Sequence, residues 1–156
     1  MKTMQYASTP TKESSLVAAE ANMNPRTKRA RDRLINAAFD LVPTRPVNDI
    51  SLTEIAQTAK VSRPTVYKLF NDTASLVAVA TIESLDEVLA SIDSEMNFQD
   101  GSDYLHGLMR KFVHAVYEHK DYYRHAIYGP SAAQIMTGVS KMLDNRMRTR
   151  LIGDRL

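Results

Sequence analysis

The stretch from Ser51 to Phe70, SLTEIAQTAKVSRPTVYKLF, decides the fold. It opens on Ser51 followed three residues later by Glu54, the pattern of a capping box. In such a box the serine oxygen accepts from the Glu54 amide, and the glutamate reaches back to the amide of Ser51. Leu52, Ile55, Ala56 and Ala59 then fall at helical spacing. Val61 is the inward residue of a tight turn, and Ser62 is placed to cap a second helix. Pro64 sits in the first turn of that helix, where a missing amide hydrogen costs little. Val66, with Leu69 or Phe70, turns inward against Ile55 and Ala56, which leaves Arg63, Thr65, Tyr67 and Lys68 on the outer face. Two short helices around a small turn match the helix-turn-helix unit, whose second helix enters the major groove of DNA. Helix pairs of this kind also occur as plain amphipathic packing, with the cationic face merely solvated.

The flanking residues extend the pattern. Leu34, Ala37, Ala38, Leu41 and Val42, with Ile35 and Phe39 nearby, give an apolar stripe wide enough to brace the pair, and the small Ala37 and Ala38 permit close approach. Pro43 ends that helix, and Thr44 to Ile50 read as a loop. Asn24-Pro25 looks like the start, a cap followed by a first-turn proline. Arg26, Lys28, Arg29, Arg31 and Arg33 form a basic run leading into the helix. Residues 1–24 lack apolar periodicity and are expected to be a disordered arm. They lack the continuous apolar core of a signal peptide. The arm and basic run suit flanking phosphates or a minor groove, and suit equally a solubilising tail.

These residues resemble the N-terminal domain of the TetR family of bacterial transcriptional regulators. The matching pieces are LINAAFDLV (Leu34 to Val42), SLTEIAQTAKVS (Ser51 to Ser62), RPTVYKLF (Arg63 to Phe70) and Leu76. The Ala37-Ala38, Ile55-Ala56 and Val61-Ser62 pairs carry the likeness, together with Tyr67 and Phe70. The resemblance implies a double-stranded DNA operator as partner, held by Ser51, Thr53, Ser62, Arg63, Pro64, Thr65, Tyr67, Lys68 and Thr73. In that scheme Arg63 reads a base, Thr65 meets a thymine methyl or a phosphate, and Tyr67 and Lys68 hold phosphates. It also implies a homodimer, a small-molecule effector and a cytoplasmic location, with no membrane. The chain departs from the family pattern in places. Lys60 stands where glycine is common, so a left-handed turn there carries strain. Pro64 also stands where many members have glycine. Thr73, after Asn71-Asp72, replaces a common phosphate-binding lysine and leaves only a hydroxyl or an amide for that task.

The remainder also reads as helix. Thr73 to Met96 carries Leu76, Val77, Ala80, Leu85, Val88, Leu89, Ile92 and Met96 at helical spacing. Asn97 to Ser102 breaks the pattern, and Asp103 to Lys120 resumes it. Tyr122 to Tyr128 is a short piece stopped by Gly129-Pro130, and Ser131 to about Leu151 carries Ile135, Met136, Val139, Leu143 and Met147. No segment alternates long enough for a strand. The expected fold is therefore all-α: a three-helix DNA-binding head over residues 25–72 and a short helical ligand and dimerisation domain over 73–156. Met96, Met109, Phe112, Tyr117, Tyr122 and Tyr123 are candidates to line an effector pocket, with Tyr128 and Met136 as further possibilities; the same residues at helical spacing also suit a plain core. Family members continue through two further helices, so the chain reads either as a fragment or as a short form whose last helix supplies the dimer contact.

Composition limits the alternatives. The chain has 156 residues, a net charge of +2 and no cysteine, which fits a reducing compartment. Residues 1–70 hold 11 Lys/Arg against 6 Asp/Glu, a net of +5, whereas residues 71–156 hold 9 against 12, a net of −3. A basic head on an acidic body suits a protein that offers one end to nucleic acid. No nucleophilic or phosphate-loop motif argues for an enzyme, and no cofactor is indicated. His114 and Glu118 lie one turn apart, but without cysteine or a dense ligand cluster no metal site is assigned. The expected function is ligand-released repression. The alternative is a helical ligand-binding or protein-interaction module whose DNA-binding head has decayed.

Overall fold

The computed structural model describes residues 23–95 and 101–153. All regular structure among them is helical. Helix α1 is Pro25–Leu41, α2 is Leu52–Thr58, α3 is Arg63–Leu69 and α4 is Thr73–Glu95. Helix α5 is Gly101–Glu118, α6 is Lys120–Ile127 and α7 is Ala132–Gly153. The chain is all-α, as its apolar periodicity predicts. Residues 1–22 of the expected arm, and Met96, lie outside the described residues.

Local chemistry sets the ends of α1. The Asn24 side chain accepts from the Arg26 amide at 2.9 Å, and Pro25 occupies the first helical position. The basic run from Arg26 to Arg33 is therefore helical rather than part of an extended arm. Pro43 lies in a single tighter turn, Val42–Thr44, that ends α1. A second such turn, Val47–Asp49, replaces part of the expected loop. Gly101 and Ser102, read as part of a break, begin α5.

Helix α4 is the axis of the fold. It packs against α1 on one side and against α5, α6 and α7 on others. Leu76, Val77, Ala80 and Ile92 of α4 are fully buried. One continuous apolar core runs from Leu34, Ile55 and Val66 through α4 to Tyr122, Ala126 and Ile135. Close approach of α7 to α4 depends on Gly138, where an added Cβ would lie 2.1 Å from Ile82 Cδ1.

Helix α6 is tied directly to α1. Tyr122 is the bulkiest fully buried side chain, and its ring stacks on Phe39 with centroids 4.1 Å apart. Thr81 donates to the Val77 carbonyl at 2.7 Å, so its oxygen is left to accept from the Tyr122 hydroxyl at 3.1 Å. Burial pushes the Tyr122 phenol well above its ordinary value. His125 Nδ1 donates to the Val42 carbonyl at 2.6 Å, since a carbonyl can only accept. Arg31 of α1 and Glu83 of α4 form a two-armed ion pair.

Candidate nucleic-acid interface

The site is built on the helix pair α2–α3. Ser51 Oγ accepts from the Glu54 amide at 3.1 Å, the first half of the expected capping box. The second half is absent. The Glu54 carboxylate is paired with Arg45 instead, across the loop between α1 and α2. A guanidinium offers a stronger, charge-assisted partner than a backbone amide.

The turn follows the Schellman pattern. The Lys60 amide donates to the Gln57 carbonyl at 3.1 Å, and the Val61 amide reaches back to Ala56 at 2.9 Å. Lys60 has φ of 54°, the left-handed position at which helices favour glycine. A side chain there costs on the order of 1 kcal/mol. Val61 is half-buried against the core. Ser62 precedes α3, but its hydroxyl bonds the Thr65 hydroxyl at 2.7 Å rather than capping a backbone amide.

Helix α3 is clearly two-sided. Val66 is fully buried, and Phe70, just beyond the last turn, closes the inner side. Arg63, Pro64 and Lys68 are exposed, Thr65 is half-buried, and Tyr67 is 56% exposed with its hydroxyl 3.4 Å from Thr53 Oγ1. The outer face drawn from the sequence is thus open to a partner. Thr73 stands apart. Its hydroxyl donates to the Ile50 carbonyl at 2.9 Å, so of its two possible phosphate contacts only the backbone amide is left. Beside it, Asp72 accepts from the Ser75 hydroxyl and the Ser75 amide, both at 2.7 Å, and these bonds hold its carboxyl below the usual range.

Cations without an ion pair concentrate at this end of the molecule, although among the described residues Arg110 of α5 and Lys120 of α6 also form none. Arg45, Arg124, Arg146 and Arg148 each face a carboxylate: Glu54, Asp121, Asp86 and Asp144. Arg31 is likewise held by Glu83. Among the described residues, Arg26, Lys28, Arg29, Arg33, Lys60, Arg63 and Lys68 form no ion pair. All seven are exposed and belong to α1, α3 or the turn between the paired helices. Sequence reasoning named the basic residues but had no signal that Arg31 or Arg146 would find an acid, because Glu83 and Asp86 come from distant parts of the chain.

The effector candidates divide. Phe112, Tyr117 and Tyr123 line an open apolar groove of about 390 Å³ between α5 and α6, with Lys120 and Arg124 on its walls. Tyr122 belongs to the core and does not line it, because its ring is stacked on Phe39 and its hydroxyl is bonded to Thr81. Met109 is exposed but outside the groove, and Met136 is also exposed, whereas Tyr128 stands at the groove's edge. His114 Nε2 meets Glu118 Oε1 at 3.3 Å, and no group of three or more potential metal ligands occurs among the described residues. Of the apolar residues of α7 offered for a dimer contact, Ile135 is in the core and Val139 packs against it, while Met136 and Leu143 are exposed. No described helix is long and apolar enough to cross a membrane.

Known proteins resemble part of this chain. An HTH-type transcriptional regulator of Mycobacterium tuberculosis, itself uncharacterised, is 38% identical over 60 residues, which is 38% of this chain and 32% of that protein. YdeS, an uncharacterised HTH-type transcriptional regulator of Bacillus subtilis, is 26% identical over 76 residues, which is 49% of this chain and 38% of that protein. The match thus spans about a third of the length of these curated relatives. No family model matches the chain.

Proposed function

We propose that this chain is a DNA-binding transcriptional regulator of the TetR type, acting as a repressor that a small molecule releases from its operator. The observation that supports it best is the concentration of unpaired cations around α3, whose outer face carries Arg63, Thr65, Tyr67 and Lys68. Residues 25–72 are the head and 73–156 the regulatory body. Arg63 contacts a base, Tyr67 and Lys68 hold phosphates, and Ser51, Thr53, Ser62, Pro64 and Thr65 line the contact. Thr73 contributes through its amide alone. A cytoplasmic homodimer places two α3 helices about 34 Å apart on a near-palindromic site.

The effector enters the body near Phe112, Tyr117 and Tyr123. Its pull reaches the head along α4 and through α6, which touches α1 by the Tyr122–Phe39 stack and the His125–Val42 bond. A coupling of about 1–3 kcal/mol suffices, and DNA then weakens effector binding by the same factor. The rival reading, a helical module with a decayed head, draws on the Asp72 carboxylate and the engaged Thr73 hydroxyl. Selection of bound sequences from random DNA separates the two. A regulator enriches a symmetric motif, and Arg63→Ala loses about 1–3 kcal/mol of discrimination at one position of it. No enrichment by the wild-type protein would refute the proposal.

A further inference from the structure

A polar cleft of about 250 Å³ lies between the start of α1 and the turn that leads into α3. Arg26, Arg33 and Lys60 line it, with the hydroxyls of Ser62 and Thr65 beside them. We propose that this cleft seats one backbone phosphate of bound DNA, and that the left-handed turn at Lys60 is retained because it aims the ammonium group there. The proposal rests on the DNA-binding reading above and assigns a particular contact within it.

Three observations converge. The first is charge. Three cations share one small cleft, and among the described residues none of them has a carboxylate partner. Like charges brought together without internal neutralisation destabilise a fold, and an external anion relieves that repulsion. The second is hydrogen bonding. Ser62 and Thr65 share one hydrogen bond of 2.7 Å between them, which uses one of their two hydroxyl hydrogens. The other has no acceptor among the described residues and is available to a phosphate oxygen. The third is strain. Lys60, with φ of 54°, holds the capping position where glycine would sit without cost. A strained backbone that persists at an exposed position points to a role for the side chain it carries. The cleft also offers what the start of α4 does not, since Asp72 there presents a carboxylate and the Thr73 hydroxyl is engaged.

The test separates charge from backbone. Lys60→Gly and Lys60→Asn both suit the left-handed turn and both remove the charge, whereas Lys60→Arg keeps the charge. Each is titrated by fluorescence anisotropy against a labelled random-sequence duplex at several salt concentrations, and each is melted. Lys60→Gly is expected to melt higher than wild type yet bind DNA several-fold more weakly, with a salt slope shallower by about 0.9. Lys60→Asn behaves likewise in binding, and Lys60→Arg retains the wild-type slope. Wild-type affinity and slope in the glycine and asparagine variants overturn the proposal and leave the DNA-binding reading intact. A wild-type protein without affinity for DNA overturns both.

Discussion

Lys68→Ala and Arg146→Ala each remove one positive charge, yet the structure predicts opposite outcomes for DNA binding. Lys68 is exposed in the last turn of α3 and has no acid partner among the described residues. Arg146 is held by Asp86, with Nη2 2.7 Å and Nε 3.0 Å from the same carboxylate oxygen. A lysine on a phosphate releases one counterion and contributes about 0.9 to the slope of log affinity against log salt. Between about 50 and 200 mM salt, one such contact alters affinity by roughly 3.5-fold, and five together by roughly 500-fold. Lys68→Ala therefore flattens the slope by about 0.9, and its deficit shrinks by about 3.5-fold over that range. Arg146→Ala takes away a charge already neutralised within the protein, so its slope stays that of wild type. Net charge alone predicts identical behaviour, because the two variants change it equally. Anisotropy titrations of a labelled duplex at four salt concentrations supply both slopes. Equal flattening by the two variants, or none by Lys68→Ala, would refute the argument from local pairing.

Four further outcomes follow from the packing and the hydrogen bonds. Tyr122→Phe loses the hydroxyl bond to Thr81 but leaves Thr81 bonded to Val77, so it costs about 1 kcal/mol, whereas Tyr122→Ala removes the ring stacked on Phe39 and costs about 3–5 kcal/mol in urea denaturation. Burial raises the folded Tyr122 phenol above its ordinary value near 10, so the unfolded chain loses that proton first; its stabilising contribution is complete below pH 10 and declines above it, and Tyr122→Phe should show the shallower alkaline decline. Gly138→Ala places a Cβ 2.1 Å from Ile82 Cδ1 and should lower stability by about 1–3 kcal/mol, with Ile82→Val in the same chain restoring part of it. Asp72 is held low by the Ser75 hydroxyl and then by its amide, so its contribution is complete above the ordinary carboxyl value of 3.8 and is lost as pH falls below it; Asp72→Asn, with the charge gone, should bind a random duplex more tightly at low salt.

Much of the fold was legible in the chain. Asn24-Pro25, the Ser51 cap, the turn at Lys60 and the stop at Gly129-Pro130 depend on chemistry within a few residues, and the structure has each in place. The Glu54 half of the capping box did not form, because Arg45 competes from outside that window. The Ser62 hydroxyl likewise turned to Thr65 rather than to a backbone amide. Tyr122 and Tyr123 are neighbours of the same residue type, and spacing could not show that one enters the core while the other also lines the α5–α6 groove.

The sequence by itself determined the helices and the two-sided character of α3, since apolar periodicity and caps act over a turn or two of chain. Only the tertiary structure decided which cations are free. Arg31 meets Glu83 across 52 residues and Arg146 meets Asp86 across 60, while among the described residues Arg26, Arg33, Lys60, Arg63 and Lys68 meet no acid. Such pairings depend on how α1 and α7 pack on α4, and local sequence carries no record of that geometry.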